Sequence, residues 1–158
     1  MTRGDTQTRF EYDNLGRIAV IEDEHGTTQV GWTLEGELAW RENPDGSVEE
    51  FGYDGEGNLV ESLDAAGRRT RFEYGAFDLV TARIDGAGNR TGYTYDTELR
   101  LTGITDPQGR IWRYTYDPNG RVTEETDFDG RTRQYAYDAA GQLVEHTDVA
   151  GEVTTFQP

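Results

Sequence analysis

The stretch Tyr114-Thr115-Tyr116-Asp117-Pro118-Asn119-Gly120-Arg121-Val122 decides the fold, because the chain keeps returning to it. Its form is aromatic-x-Tyr-Asp, two further residues, Gly followed by Arg, Asn or Gln, then an aliphatic residue. The lead position recurs at Phe10, Val30, Phe51, Phe72, Tyr93, Tyr114 and Tyr135, and Phe156 opens another copy. One interval of 20 residues is followed only by intervals of 21. A fixed period of this length marks a repeat architecture, in which each unit buries its apolar face against its neighbours. The copies run 10–29, 30–50, 51–71, 72–92, 93–113, 114–134 and 135–155, with a partial copy from 156. The expectation is one array over residues 1–158.

Each copy encodes two strands and two turns. In the last full copy Thr132, Gln134 and Ala136 alternate with Arg133, Tyr135 and Tyr137, the period of a strand. The chain then turns at Asp138-Ala139-Ala140-Gly141, returns over 142–147, and turns again at Asp148-Val149-Ala150-Gly151. Asp at the first turn position accepts hydrogen bonds from amides further on, and Gly at the fourth takes a positive φ. The positions expected to carry this architecture are Tyr12, Asp13, Gly16, Tyr53, Asp54, Gly57, Tyr74, Tyr95, Asp96, Tyr116, Asp117, Gly120, Tyr137, Asp138 and Gly141. The second turn recurs in every copy, from Asp23-x-x-Gly26 to Asp148-x-x-Gly151, with Asn43 replacing Asp once. The first departs from its pattern at Thr33, at Gly75 to Asp78 and at Asp96 to Leu99.

No segment carries a helical stripe. The sequence therefore predicts an all-β fold of roughly 14 strands, paired antiparallel. Open sheets rarely pass about ten strands without curling or splitting, so a curl, a spiral or two layers is expected. The aromatic residues at i and i+2 choose one face. Rings of neighbouring copies are expected to stack as cross-strand ladders.

Composition narrows the function. The formal charge is −16, with 31 acidic residues against 15 basic ones, all of them Arg. Phosphate recognition needs clustered cations, so a nucleic-acid partner is not expected. Without Lys there is no P-loop or Schiff-base lysine, and without Cys no thiolate nucleophile or disulfide. No signal peptide or membrane span is visible.

Site chemistry is equally sparse. Asp127-Phe128-Asp129-Gly130 imitates part of a calcium loop, but the further ligands and closing Glu are missing, so turn capping is preferred. His25 and His146 occupy polar repeat positions, and neither Ser47 nor Ser62 lies in a nucleophile elbow. The expectation is a protein that is not an enzyme, with no cofactor and no metal. A hydrolase built on an unrecognised carboxylate pair stands as a remote alternative. Trp32 and Trp40 depart from the repeat pattern and are the candidates for an exposed ligand surface. Arg3-Gly4-Asp5 spells an integrin-binding tripeptide and is taken as a chance occurrence.

The recurring Tyr-Asp-x-x-Gly-Arg unit with its second Asp-x-x-Gly turn resembles the YD repeat of Rhs (rearrangement hotspot) proteins, from Phe10 to Phe156. Gly75-Ala76-Phe77-Asp78-Leu79 and Trp112-Arg113-Tyr114-Thr115-Tyr116-Asp117 are similar to the core of bacterial Rhs polymorphic toxins, which are related to the Tc toxin C component and to teneurins. The resemblance implies a strip of sheet that spirals into a hollow shell around a C-terminal toxin, delivered by a secretion or toxin-complex system. Such proteins end their shell in a self-cleaving Asp-Pro-x-Gly-Leu segment. Here Asp106-Pro107-Gln108-Gly109-Arg110 and Asp117-Pro118-Asn119-Gly120-Arg121 end in Arg and sit in phase with the repeat, so both are expected to be ordinary turns.

The expected role is thus structural: a shell segment, wall without lid or cargo, that carries or encapsulates a toxin. The alternative is a cell-surface module that binds carbohydrate or protein. Expected partners are the rest of a longer Rhs polypeptide, its toxin cargo, and further copies paired through sheet edges. The expected location is secreted or cell-surface in the parent protein.

Overall fold

The computed structural model describes residues 7–157, so Arg3-Gly4-Asp5 lies outside the described residues. Fifteen strands follow one another in chain order without a crossover. They are β1 (Arg9–Tyr12), β2 (Ile18–Asp23), β3 (Gly26–Trp32), β4 (Leu38–Glu42), β5 (Val48–Tyr53), β6 (Leu59–Leu63) and β7 (Arg69–Tyr74). After a single 3-10 turn at Ala76–Asp78 come β8 (Val80–Ile84), β9 (Arg90–Tyr95), β10 (Leu101–Thr105) and β11 (Ile111–Tyr116). The last are β12 (Val122–Thr126), β13 (Thr132–Tyr137), β14 (Leu143–Thr147) and β15 (Val153–Thr155). The count exceeds expectation by one because β15 already belongs to the following hairpin. The chain divides into two compact units: one runs up to Phe72 and takes in Ile84–Gly88, and the other comprises Glu73–Arg83 and continues from Asn89.

Within the first unit, β1 to β7 pair antiparallel as a meander, and β9 to β15 do the same in the second. Each unit is thin. Among the described residues only Ala82, Gly103 and Asp127 are buried, and no large side chain is fully enclosed. Most aromatic residues are half-buried, as a single layer with one wet face requires.

The two hairpins of each copy differ in register. Those closed by the second turn run straight, as at Thr126↔Thr132 and Glu124↔Gln134. Those closed by the Tyr-Asp turn each hold one extra residue on the returning strand. Tyr116 faces Val122 while Thr115 faces Glu124, which leaves Thr123 as the bulge. Ala19, Ala39, Val60, Thr102 and Val144 are bulged in the same way. A bulge increases local twist and re-aims the side chains beside it.

Rings of successive copies do not form the expected ladder. An intervening strand separates them: Tyr116 on β11 faces Val122 on β12, not Tyr137 on β13. Ring contacts are local instead, as in the edge-on Trp112–Phe128 pair at 5.5 Å and the stacked Tyr135–His146 pair at 5.1 Å. The copies are joined by a different device.

Candidate functional site

The distinctive chemistry lies along the Tyr-Asp turns. In copy 114–134 the Gly120 amide donates to the Asp117 carbonyl at 3.0 Å, and the Asp117 amide donates to the Arg121 carbonyl at 2.9 Å. This is a type I turn closed by a left-handed residue, here Gly120 at φ 81°, where a Cβ would add strain. The Asp117 side chain completes it. Its Oδ1 accepts from the Asn119 and Arg121 amides at 2.8 and 3.0 Å, and Oδ2 accepts from Arg121 Nε at 2.7 Å.

From this clamp Arg121 reaches forward. Its Nη1 donates to the Asp138 carbonyl at 3.3 Å, one copy on, and its guanidinium lies over the Tyr137 ring at 4.7 Å. Tyr137 in turn reaches back, its hydroxyl donating to the Val122 carbonyl at 2.9 Å. Each seam between copies is thus bonded in both directions. Arg100 and Tyr116 repeat the arrangement, with Nη1 to the Asp117 carbonyl at 3.3 Å and the hydroxyl to the Leu101 carbonyl at 2.6 Å. Tyr53 reaches the Leu38 carbonyl at 3.0 Å and Tyr95 the Val80 carbonyl at 2.8 Å. Trp32 takes the Tyr position in copy 30–50, its Nε1 donating to the Ile18 carbonyl at 2.7 Å beneath the Arg17 guanidinium.

Electrostatics follow the hydrogen bonds. The Arg121 amide and then its guanidinium hold the Asp117 carboxyl below the usual carboxylate value, although burial pushes the other way. The same backbone donation from residue i+4 leads at Asp13, Asp54, Asp64, Asp96 and Asp148. At Asp127 burial pushes the carboxyl up, but the Arg131 and Asp129 amides with the Arg131 guanidinium outweigh it and leave it lowered. Burial raises the phenols of Tyr53 and Tyr95 above the ordinary value.

Three turns lack part of the pattern and compensate differently. In copy 30–50 Thr33 replaces Asp: its hydroxyl donates to the Glu37 carboxylate and accepts from the Gly36 and Glu37 amides at 3.2 and 3.1 Å. In copy 93–113 Asp96 keeps its clamp, but Leu99 takes the left-handed position at φ 64°. In copy 72–92 Gly75 has no carboxylate. The backbone closure from the Gly75 amide to the Leu79 carbonyl remains at 2.9 Å, while Phe77 and Asp78 both adopt positive φ.

Trp32 and Trp40 are not brought together. Gly31 faces Trp40 across β3 and β4, so the indole lies over the Gly31 backbone, and a Cβ there would meet Trp40 Nε1 at 2.0 Å. Trp32 is the next residue along β3 and projects to the opposite face. Trp40 is 37% exposed on the polar side, whereas Trp32 is half-buried in a seam.

The remaining candidates are likewise occupied. Asp127 is 4% exposed and holds its own turn through the Asp129 and Arg131 amides at 2.9 and 3.0 Å. His146 stacks on Tyr135, whose hydroxyl donates to Glu125 at 2.9 Å beside the 3.1 Å Glu125–Arg133 pair. No group of three acidic, His or Cys residues is placed to hold a metal among the described residues. No helix among them is long and apolar enough to cross a membrane.

A meander of two-strand copies, clamped by Asp at the turns and sewn by Tyr and Arg at the seams, defines a tandem β-repeat protein of the Tyr-Asp class. The RHS repeat model matches residues 53–91, 95–132 and 137–157, more than half of the chain. The chain belongs to the RHS repeat family. Among solved structures it is similar to part of the Tc holotoxin pore of Photorhabdus luminescens, in a TccC3 mutant. There the TM-score is 0.73 at 15% identity, over 94% of this chain and 9% of that one. The TcdB2-TccC3-Cdc42 complex matches at a TM-score of 0.52 and 19% identity, over 89% of this chain and 10% of that one. TcdB2-TccC3 matches at 0.52 and 18%, over 89% and 11%. At these identities the likeness is one of fold, and the chain spans about a tenth of the length of the structures it matches. No curated protein sequence matches it.

Proposed function

We propose that this chain is a wall segment of a toxin-associated Rhs shell, part of a longer secreted or surface polypeptide, and that the wall encloses a C-terminal effector. The observation that carries the reading is the seam. Each Tyr-Asp turn is bonded to the backbone of the copies before and after it, a design that extends a sheet without limit and leaves no catalytic group uncommitted. The role is structural, with no cofactor, and confinement is the mechanism: a continuous hydrogen-bonded sheet admits neither protease nor solvent-borne partner. The likeness to TccC3-containing structures, over a small fraction of their length, supports the toxin context.

Limited proteolysis of the parent polypeptide tests this. The C-terminal domain should resist cleavage in the wild type and become sensitive when the seams are loosened by Tyr116→Ala with Tyr137→Ala. Equal sensitivity in both proteins would refute enclosure. Pairing with further copies through the sheet edges is a part of the same proposal, supported by the exposure of Phe10 and Tyr12 on β1. A second reading, recognition of carbohydrate, now rests on Trp40 alone, since Trp32 belongs to a seam. Glycan binding lost in Trp40→Ala and kept in Trp32→Phe would favour it.

A further inference from the structure

The non-Gly residues with positive φ among the described residues are Phe77, Asp78 and Leu99, at φ 61°, 56° and 64°. They sit in two successive Tyr-Asp turns of the second unit, where most other copies place Gly. Left-handed backbone is unfavourable for a bulky side chain and persists where the surroundings or a function demand it. Neither large side chain gains burial in exchange: Phe77 is 77% exposed and Leu99 43%. Between them lies a groove of about 490 Å³, lined by Ala76, Phe77, Leu79, Tyr93 and Leu99 on its apolar side. Asp78 and Glu98 stand exposed beside it, and Asp96 lines it. The single nearby cation, Arg100, is turned inward onto Asp96, Glu98, the Asp117 carbonyl and the Tyr116 ring. The groove therefore presents apolar walls under an acidic rim.

We propose that this groove docks an extended protein segment that carries an apolar side chain next to a Lys or Arg. The apolar side chain covers Phe77 and Leu99, and the cation meets the rim carboxylates. A second copy of this chain is a poor occupant, because each copy carries −16 and presents the same acidic rim. The proposal is independent of whether the wall encloses a cargo, since it needs only the outer ends of two turns.

The test uses the full chain and three labelled hexapeptides, alternating Leu-Lys, Leu-Glu and Ser-Lys, followed by fluorescence anisotropy. Leu-Lys should bind saturably and at least tenfold more tightly than either of the others. Phe77→Gly and Leu99→Gly should each weaken it at least fivefold while the melting temperature rises or holds, because Gly relieves the left-handed backbone. Binding that ignores both substitutions overturns the proposal, as does equal affinity for Leu-Glu. A clear fall in melting temperature in either variant also overturns it, by showing that the side chain holds its turn together. Sedimentation covers the remaining occupant: a wild-type dimer that Phe77→Gly converts to monomer would assign the groove to a second copy and refute the proposal.

Discussion

The Asp117 and Asp127 turns stand at opposite ends of β12 and share one local chemistry, yet only one of them ties copies together. Both carboxylates accept the amides of residues i+2 and i+4 and the Nε of the following Arg, at distances between 2.7 and 3.0 Å. Beyond the turn they diverge. Arg121 is 27% exposed, drawn over Tyr137 and onto a carbonyl of the next copy. Arg131 is 57% exposed and turns back to Asp129 of its own turn at 3.1 Å. The difference comes from one neighbour. The residue before Asp117 is Tyr116, whereas Thr126 precedes Asp127. The Asp-x-x-Gly-Arg pattern makes a turn, and the preceding aromatic donor makes a seam.

Acid should abolish the contrast, with the largest effect of all. Lowered turn carboxyls occur at both ends of the strands, including Asp117 and Asp127. A lowered folded-state value contributes stability above the unfolded value of 3.8 that is lost as pH falls through the folded one. The melting temperature should therefore hold down to about pH 4 and then drop steeply, with amides of both turn types losing protection together in hydrogen exchange. Retained protection at one edge at pH 2 would show that the two clamps are not equivalent.

Removing a ring should restore the contrast. Tyr137→Ala is expected to cost about 2 kcal/mol in denaturant unfolding, through lost packing and an orphaned Val122 carbonyl. Phe128→Ala, at the other edge, should cost about half as much, since its ring accepts Arg110 at 5.6 Å but donates nothing. Equal losses would mean that the seam is only packing. Removing one oxygen is the finer probe. Tyr116→Phe should cost about 1 kcal/mol, the ordinary net worth of such a bond.

Alkali should act at the same positions. The raised phenols of Tyr53 and Tyr95 contribute stability below the ordinary value of 10.0 that is lost as pH rises through the folded value. Amides flanking the Tyr-Asp turns should then open before those of the second turns. The smallest effect separates the two cations: Arg121→Ala should cost about 1 kcal/mol and Arg131→Ala stay within about 0.5 kcal/mol of wild type.

Much of this fold is legible in the chain. Asp and Gly at a constant phase specify the turns, and the alternation of Thr132 to Tyr137 specifies a strand, because both signals are local. The bulges lie deeper. Their signal is the pair of adjacent aliphatic or small residues after each Gly-Arg, such as Ile18-Ala19, Leu38-Ala39 and Leu143-Val144, which breaks the period of two. Missing that break also hides the faces: without Ala39 bulged, the parity of Trp40 relative to Trp32 cannot be counted across the hairpin. The seam has a signal too. Tyr or Trp precedes every first-turn Asp or its substitute, and Phe never does, although Phe is common two residues earlier. A position that accepts Tyr and Trp but not Phe needs a donor. Where that donor goes depends on strand order, which no local pattern states. The groove of the second unit was invisible for a related reason, since Phe77 and Leu99 look like drift until their backbone is known.

Every seam ends on a peptide carbonyl. The acceptors belong to Ile18, Leu38, Val80, Leu101 and Val122, yet the donors do not read their side chains. A joint of this kind is indifferent to the identity of what it joins. Any copy can be duplicated, deleted or exchanged for one from a diverged gene, and the new junction closes with the same bonds. The array is a set of interchangeable parts, and recombination within it leaves the fold intact.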